Sequence, residues 1–256
     1  MPRTDQPAPT PPWREGSRLP AAFGAAAIAV VLWNVPFLGI LLFPLRLLTT
    51  FAHEAGHGLA AILTGGRFLG FEISLDGSGL ATTAGGWRWV VLPAGYVGSA
   101  VTASTLFIAT QRATRSHLVA LVAAVLTALV AVLFGLSSGL ALSAGLGSAI
   151  ALIALSRLRE RRTPIAVTLH LIAFVMAWNA VLDLLYVVRR PSVGTNRVLN
   201  DAAAFGEHVG IGGGRLWGSI WLLVVVAVLV GAARLGIGAG PPDGDDAGLR
   251  DVRRRR

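Results

Sequence analysis

Apolar residues run through this chain in long blocks rather than in alternation with polar ones. The blocks are Ala21 to Leu38, Leu42 to Thr64, Trp89 to Thr110, His117 to Phe134, Leu136 to Leu155, Pro164 to Val188 and Leu216 to Leu235. Each is close to the roughly 20 residues a helix needs to cross a bilayer. Pro36 and Pro44 interrupt the pattern around the first junction, where helices break. The pattern predicts an all-α polytopic membrane protein with about seven transmembrane helices. Between the second and third blocks the period shortens. Phe71, Ile73 and Leu75 alternate, Asp76-Gly77-Ser78-Gly79 supplies turn chemistry, and Leu80 to Thr83 can return as a second strand. A short β-hairpin is expected there. The plain reading is a connection; the functional one is an edge strand that pairs with an extended substrate.

Residues 1–20 carry several prolines and mixed charges, and residues 236–256 are rich in Gly, Pro, Asp and Arg, so both read as disordered tails around a membrane domain at 21–235. The first block has no short h-region with a clear cleavage site and runs almost directly into the next, so it reads as a retained segment and not a signal peptide. Gly135, Gly139, Ser143 and Gly147 recur every four residues as an expected close-packing stripe, and Ala94, Gly95, Gly98 and Ser99 form another. Trp87, Trp89, Trp217 and Trp221 fall near block ends, where aromatic belts belong.

Composition agrees with a membrane setting. Hydrophobic residues are 54% and charged residues 14%, and mean hydropathy is +0.67; soluble domains average about 25% charged. The net charge of +9 is carried by arginine without lysine, partly in Arg157, Arg159, Arg161 and Arg162 and in Arg253 to Arg256. Beside apolar spans such clusters anchor to anionic lipid, so the bilayer is the expected partner and nucleic acid is not. There is no cysteine, which excludes disulfides and thiolate metal sites.

The second block holds His53-Glu54-Ala55-Gly56-His57. On a helix the two histidines share one face and can bind one metal ion. Glu54 follows the first histidine, where a carboxylate can take a proton from water activated by that ion. With five His and five Glu in 256 residues, chance would supply roughly 0.002 such matches. The plain alternative is a helix whose polar residues face a wet cleft or pair with each other. A hydrolytic zinc site needs three protein ligands and a water, so one ligand is missing. Asp183 is the expected third ligand. It lies in an apolar stretch where a lone carboxylate is costly, and with seven spans its helix runs parallel to that of His57, at similar depth. Asn179, one turn earlier, could orient a ligand or hold a substrate carbonyl. A structural Asp–Arg or Asp–Asn contact is the competing reading. Asp201 and His208 occupy a polar stretch and are expected behind the ligands or as a replacement. His170 reads as a helix–helix hydrogen bond.

The run Phe51 to Ala61, followed by Thr64-Gly65-Gly66-Arg67, resembles the metal helix of site-2-protease-type membrane metallopeptidases, and more narrowly their bacterial M50B-like branch. Gly79, Ala94-Gly95-Tyr96-Val97-Gly98, Asn200-Asp201-Ala202 and Arg215-Leu216-Trp217 are similar to that branch too, so the resemblance covers Phe51 to Trp221. It implies a multi-pass bacterial plasma-membrane zinc endopeptidase that cuts membrane-spanning proteins or peptides. His53 and His57 would hold Zn2+ and Glu54 would be the base. In the wider family the third ligand is an Asp in Asn-x-x-Pro-x-x-x-Leu-Asp-Gly. Here only Leu182-Asp183 matches: Leu184 replaces the glycine, the proline is absent, and Asn179 is too close. The alternative is a non-proteolytic scaffold or metal carrier that retains the fold.

Overall fold

The computed structural model describes residues 19–35, 37–159, 161–190 and 200–237. The two expected tails therefore lie almost wholly outside the described residues. In chain order the elements are α1 (Leu19–Asn34), a 3₁₀ turn (Leu38–Leu42), α2 (Phe43–Leu63), β1 (Arg67–Ile73), β2 (Gly79–Ala84), α3 (Arg88–Val91), α4 (Ala94–Arg112), α5 (Ser116–Phe134), α6 (Gly139–Ser156), α7 (Arg162–Arg189), α8 (Asp201–Val209) and α9 (Gly214–Ile237).

Helix covers each of the seven apolar blocks. Five segments among the described residues are long and apolar enough to cross a membrane: Leu38–Leu63, Ser116–Phe134, Gly139–Ser156, Arg162–Arg189 and Gly214–Ile237. The apolar part of α1, Pro20–Leu32, is short. α4 is diluted by Gly, Ser, Thr and Gln, and the face it buries is made largely of small residues: Gly95, Ser99, Ala100, Ala103 and Ser104.

Pro44 in the first turn of α2 explains where that helix begins, because the missing N–H costs nothing there. α2 is the hub, touching α4, α6, α7 and both strands. Its approach to α4 is backbone on backbone: a Cβ on Gly56 would collide with the Ala94 carbonyl, and one on Gly98 would meet Gly56 Cα at 3.4 Å. Such contacts hold helices together in lipid, where burial of apolar surface supplies no drive. The stripe expected on α6 is displaced. Gly139, Ser143 and Gly147 are exposed, while Ala141, Gly145 and Ala149 are buried. A Cβ on Gly145 would come within 2.6 Å of both Ala131 on α5 and the Phe51 ring on α2. Four-residue spacing recurs on both faces of α6, and only packing tells them apart. Trp221 also departs from expectation, since it is 5% exposed and packs inside the fold.

The hairpin forms where the alternation placed it. β1 and β2 pair antiparallel, Phe71 opposite Ala81 and Ile73 opposite Gly79, with an irregularity between Phe68 and Gly70. Asp76 Oδ1 accepts from the Ser78 amide at 2.9 Å and hydroxyl at 2.7 Å, and Gly77 takes the positive φ of 88° that the turn requires. Those two bonds hold the Asp76 carboxyl below its usual range. Phe68, Phe71 and Ile73 sink into a cluster with Leu47 and Phe51 of α2. Thr50 Oγ1 donates to the Gly77 carbonyl at 2.7 Å, so the turn is fastened to the same helix that carries the His-Glu motif.

Candidate metal centre

His53 and His57 project from one face of α2 with their Nε2 atoms 3.1 Å apart. His57 Nδ1 lies 2.7 Å from the Val91 carbonyl of α3. A carbonyl can only accept, so Nδ1 carries the proton and Nε2 is left with its lone pair toward the site. His53 is held differently, by an edge-to-face contact with Tyr96, ring centroids 4.6 Å apart and planes at 89°. Gly95 closes one side, where any Cβ would collide with both Nε2 atoms.

The third member is Asp201. Its Oδ2 lies 3.5 Å from His53 Nε2 and 3.4 Å from His57 Nε2, and these three residues form the one metal-competent group among the described residues. α8 brings it there. Asn200 caps the helix, its Oδ1 accepting from the Ala203 amide at 2.9 Å, which leaves the Asp201 carboxylate free to turn toward α2. Phe205, one turn on, fixes α8 among Trp89, Trp217 and Trp221, with ring centroids 5.5, 4.5 and 5.4 Å away. Burial works against ionising Asp201, yet the His53 and His57 rings beside it hold its carboxyl far below the usual range.

The donor set fits zinc. Bonds of about 2.0–2.2 Å at tetrahedral angles place ligand atoms about 3.3–3.5 Å apart. The triangle of 3.1, 3.4 and 3.5 Å needs only a small adjustment to close on an ion. Two imidazoles and one carboxylate leave a fourth position, the arrangement of a hydrolytic centre.

Glu54 stands beside this group and outside it. It is 5% exposed, accepts from the Ala81 backbone of β2, and its carboxylate lies where a Cβ on Gly79 would otherwise sit. The hairpin thus holds the carboxylate in place from one side.

The expected ligand Asp183 is not in the group. It lies exposed on α7, within electrostatic reach of His53 and Arg46. α7 does pack against α2, but the carboxylate that comes within 3.5 Å of both ring nitrogens is that of Asp201. The Asn179 amide NH2 donates to the Val175 carbonyl of its own helix at 2.9 Å. His170 Nδ1 lies 2.6 Å from the Ala166 carbonyl of its own helix, and its ring meets Phe107 of α4 edge-on at 5.4 Å. His208 is exposed beside Trp89. Val91, Gly95 and Tyr96 were not singled out as site residues. Gly95 and Tyr96 lie in the Ala94 to Gly98 run, whose small residues read as packing alone.

The family model described as Peptidase M50B-like matches residues 22–232. No curated protein and no solved structure matches the chain.

Proposed function

We propose a function from the premise that the chain belongs to the Peptidase M50B-like family. The reading is an intramembrane zinc metalloendopeptidase in which His53, His57 and Asp201 hold the ion and Glu54 is the general base. The observation that carries it is the triangle of three ligand atoms with a separate buried carboxylate beside it. Zinc held there would polarise a water and the scissile carbonyl. Glu54, fixed by Ala81 and outside the ligand set, takes the proton from that water as its oxygen attacks, then delivers it to the leaving amine. Asp201, and not Asp183, is the third ligand in this reading.

Membrane-spanning substrates are supported by five apolar helices long enough to cross a bilayer. A substrate helix hides its carbonyls in its own hydrogen bonds, so the segment to be cut must unwind first. β2 belongs to a two-stranded sheet and has one edge not paired with β1. That edge faces Glu54 at Ala81, and an unwound substrate could add to it as a third strand. A metal carrier would need ionisable groups spaced along a route. Among the described residues there is one compact group, which favours a site.

The test is zinc content and cleavage of tagged single-span proteins by purified protein in detergent or vesicles, wild type beside Glu54→Gln. One tightly bound zinc in both, with turnover lost by about 10²–10⁴ in the variant, is the expected result. Undiminished cleavage by Glu54→Gln would end the mechanism.

A further inference from the structure

Three carboxylates and two imidazoles form or flank this centre; with both Nε2 atoms turned toward it the ring N–H groups point away, and an ionised carboxylate has no proton to donate to the substrate's carbonyl oxygen. Asp201 and Glu54 can only accept when ionised. The one N–H fixed by geometry, on His57 Nδ1, is taken by Val91. Yet attack on a peptide carbonyl places negative charge on its oxygen, and donors aimed at that charge are commonly a large part of catalysis.

Tyr96 is placed to supply one. It stands in the first turn of α4, directly after Gly95, whose backbone abuts both imidazole nitrogens. Its ring is 6% exposed, set between His53 at 4.6 Å and Trp221 at 5.9 Å. Trp221 in turn packs on Phe205 of the helix that carries Asp201. The carboxylates of Asp201, Asp183 and Glu54 all lie within electrostatic reach of the phenol, as its place beside His53 and next to Gly95 requires. No hydrogen bond to a described residue is among the influences on it. A hydroxyl at the tip of a largely buried ring, with no hydrogen bond to a described residue and beside a reaction centre, is available to donate to a ligand.

We propose that the Tyr96 hydroxyl donates a hydrogen bond to the oxyanion that forms on the scissile carbonyl oxygen. This rests on the metalloendopeptidase reading above. The water oxygen bonds to the carbonyl carbon while Glu54 takes one of its protons. The C=O π pair moves onto oxygen, which receives the Tyr96 hydrogen bond with no proton transfer. When the C–N bond breaks, the pair returns to the carbonyl, the nitrogen leaves with the C–N pair, and Glu54 gives it the proton. Tyr96 ends as it began, and the second water proton stays on the new carboxylic acid. A role confined to packing would need the ring and not the hydroxyl.

Tyr96→Phe separates the two, because it keeps every ring contact. In the intact membrane protein the variant should keep one zinc and the wild-type thermal stability. Its kcat should fall by about 10²–10³, the usual loss of one oxyanion donor, with KM within about threefold. A phosphinic peptide, a tetrahedral mimic, should lose affinity by a similar factor. An uncleaved substrate peptide bound to Glu54→Gln and to Glu54→Gln/Tyr96→Phe should not discriminate between them. Overturning results are a Tyr96→Phe enzyme within threefold of wild-type kcat, unchanged phosphinic peptide binding, or loss of zinc, which would make the hydroxyl a support for Asp201. These differ from failure of the underlying reading, in which wild type shows no zinc or no Glu54-dependent cleavage at all.

Discussion

Asp201 Oδ2 and His57 Nε2 lie 3.4 Å apart, although one belongs to the short polar helix α8 and the other to the membrane helix α2. The pair favours Asp201 over Asp183 as the acid of the proposed centre, and it makes the first prediction a comparison of two acids. Asp201→Asn should lower zinc affinity by at least about tenfold, because a neutral amide oxygen is a poorer ligand than a carboxylate. Asp183→Asn should leave zinc in place, since Asp183 is outside the group. Metal content after graded chelator dialysis measures both. Zinc retained by Asp201→Asn and lost by Asp183→Asn would restore the assignment expected from sequence.

Gly95 is the second test. Its Cα faces both ring nitrogens, and a single methyl there would collide with His53 and His57. Gly95→Ala should therefore reduce zinc binding without altering any ligand or polar group. Gly24, where a Cβ would meet nothing within 4 Å, is the matched control for helix substitution. If Gly95→Ala binds zinc as wild type does, the close approach of α4 to the imidazoles is wrong.

Gly79 separates binding from chemistry. A side chain at this position would press on Glu54 and Thr50, not on the ligands. Gly79→Val should keep one zinc per chain while turnover drops by at least about tenfold, since a base displaced by an ångström loses alignment. Equal loss of metal and rate would show instead that the hairpin supports the whole centre.

Much of this was legible in the sequence, for reasons that differ by residue. Unbroken apolar blocks can be little but helices in a bilayer, and the helices appear at all seven places. The hairpin was legible because Phe71 and Ile73 alternate before a turn whose Asp76, Gly77 and Ser78 have their own local chemistry. His53, Glu54 and His57 were readable because four-residue spacing on a helix needs no tertiary knowledge. The third member of the metal-competent group was not, because it depends on how the chain returns after α7. Asp183 had a strong local argument, an acid among apolar residues, but that argument does not say which groups the fold brings to it, and His53 and Arg46 are both within its electrostatic reach. Asp201 had weak local surroundings, and only the aromatic packing of α8 shows where it points. The stripe on α6 failed for the same kind of reason: spacing reveals a face, not what lies opposite.

Phe205 supplies the last prediction, at a distance from every ligand. It is 4% exposed and is the side chain of α8 that meets all three of Trp89, Trp217 and Trp221, His208 touching Trp89 as well. Replacing a buried Phe by Ala costs about 3–5 kcal/mol where the site cannot collapse. α8 spans only Asp201–Val209, and a helix this short does not hold itself together in isolation. The loss should therefore appear as local release of α8 rather than as unfolding of the spans. Asp201 would then sample positions away from His53 and His57. Zinc affinity should fall by at least about tenfold in Phe205→Ala, with helical circular dichroism nearly unchanged, and Phe205→Leu should recover part of it by restoring bulk. Wild-type zinc affinity in Phe205→Ala would mean that Asp201 is held by its own cap at Asn200 and not by the aromatic cluster.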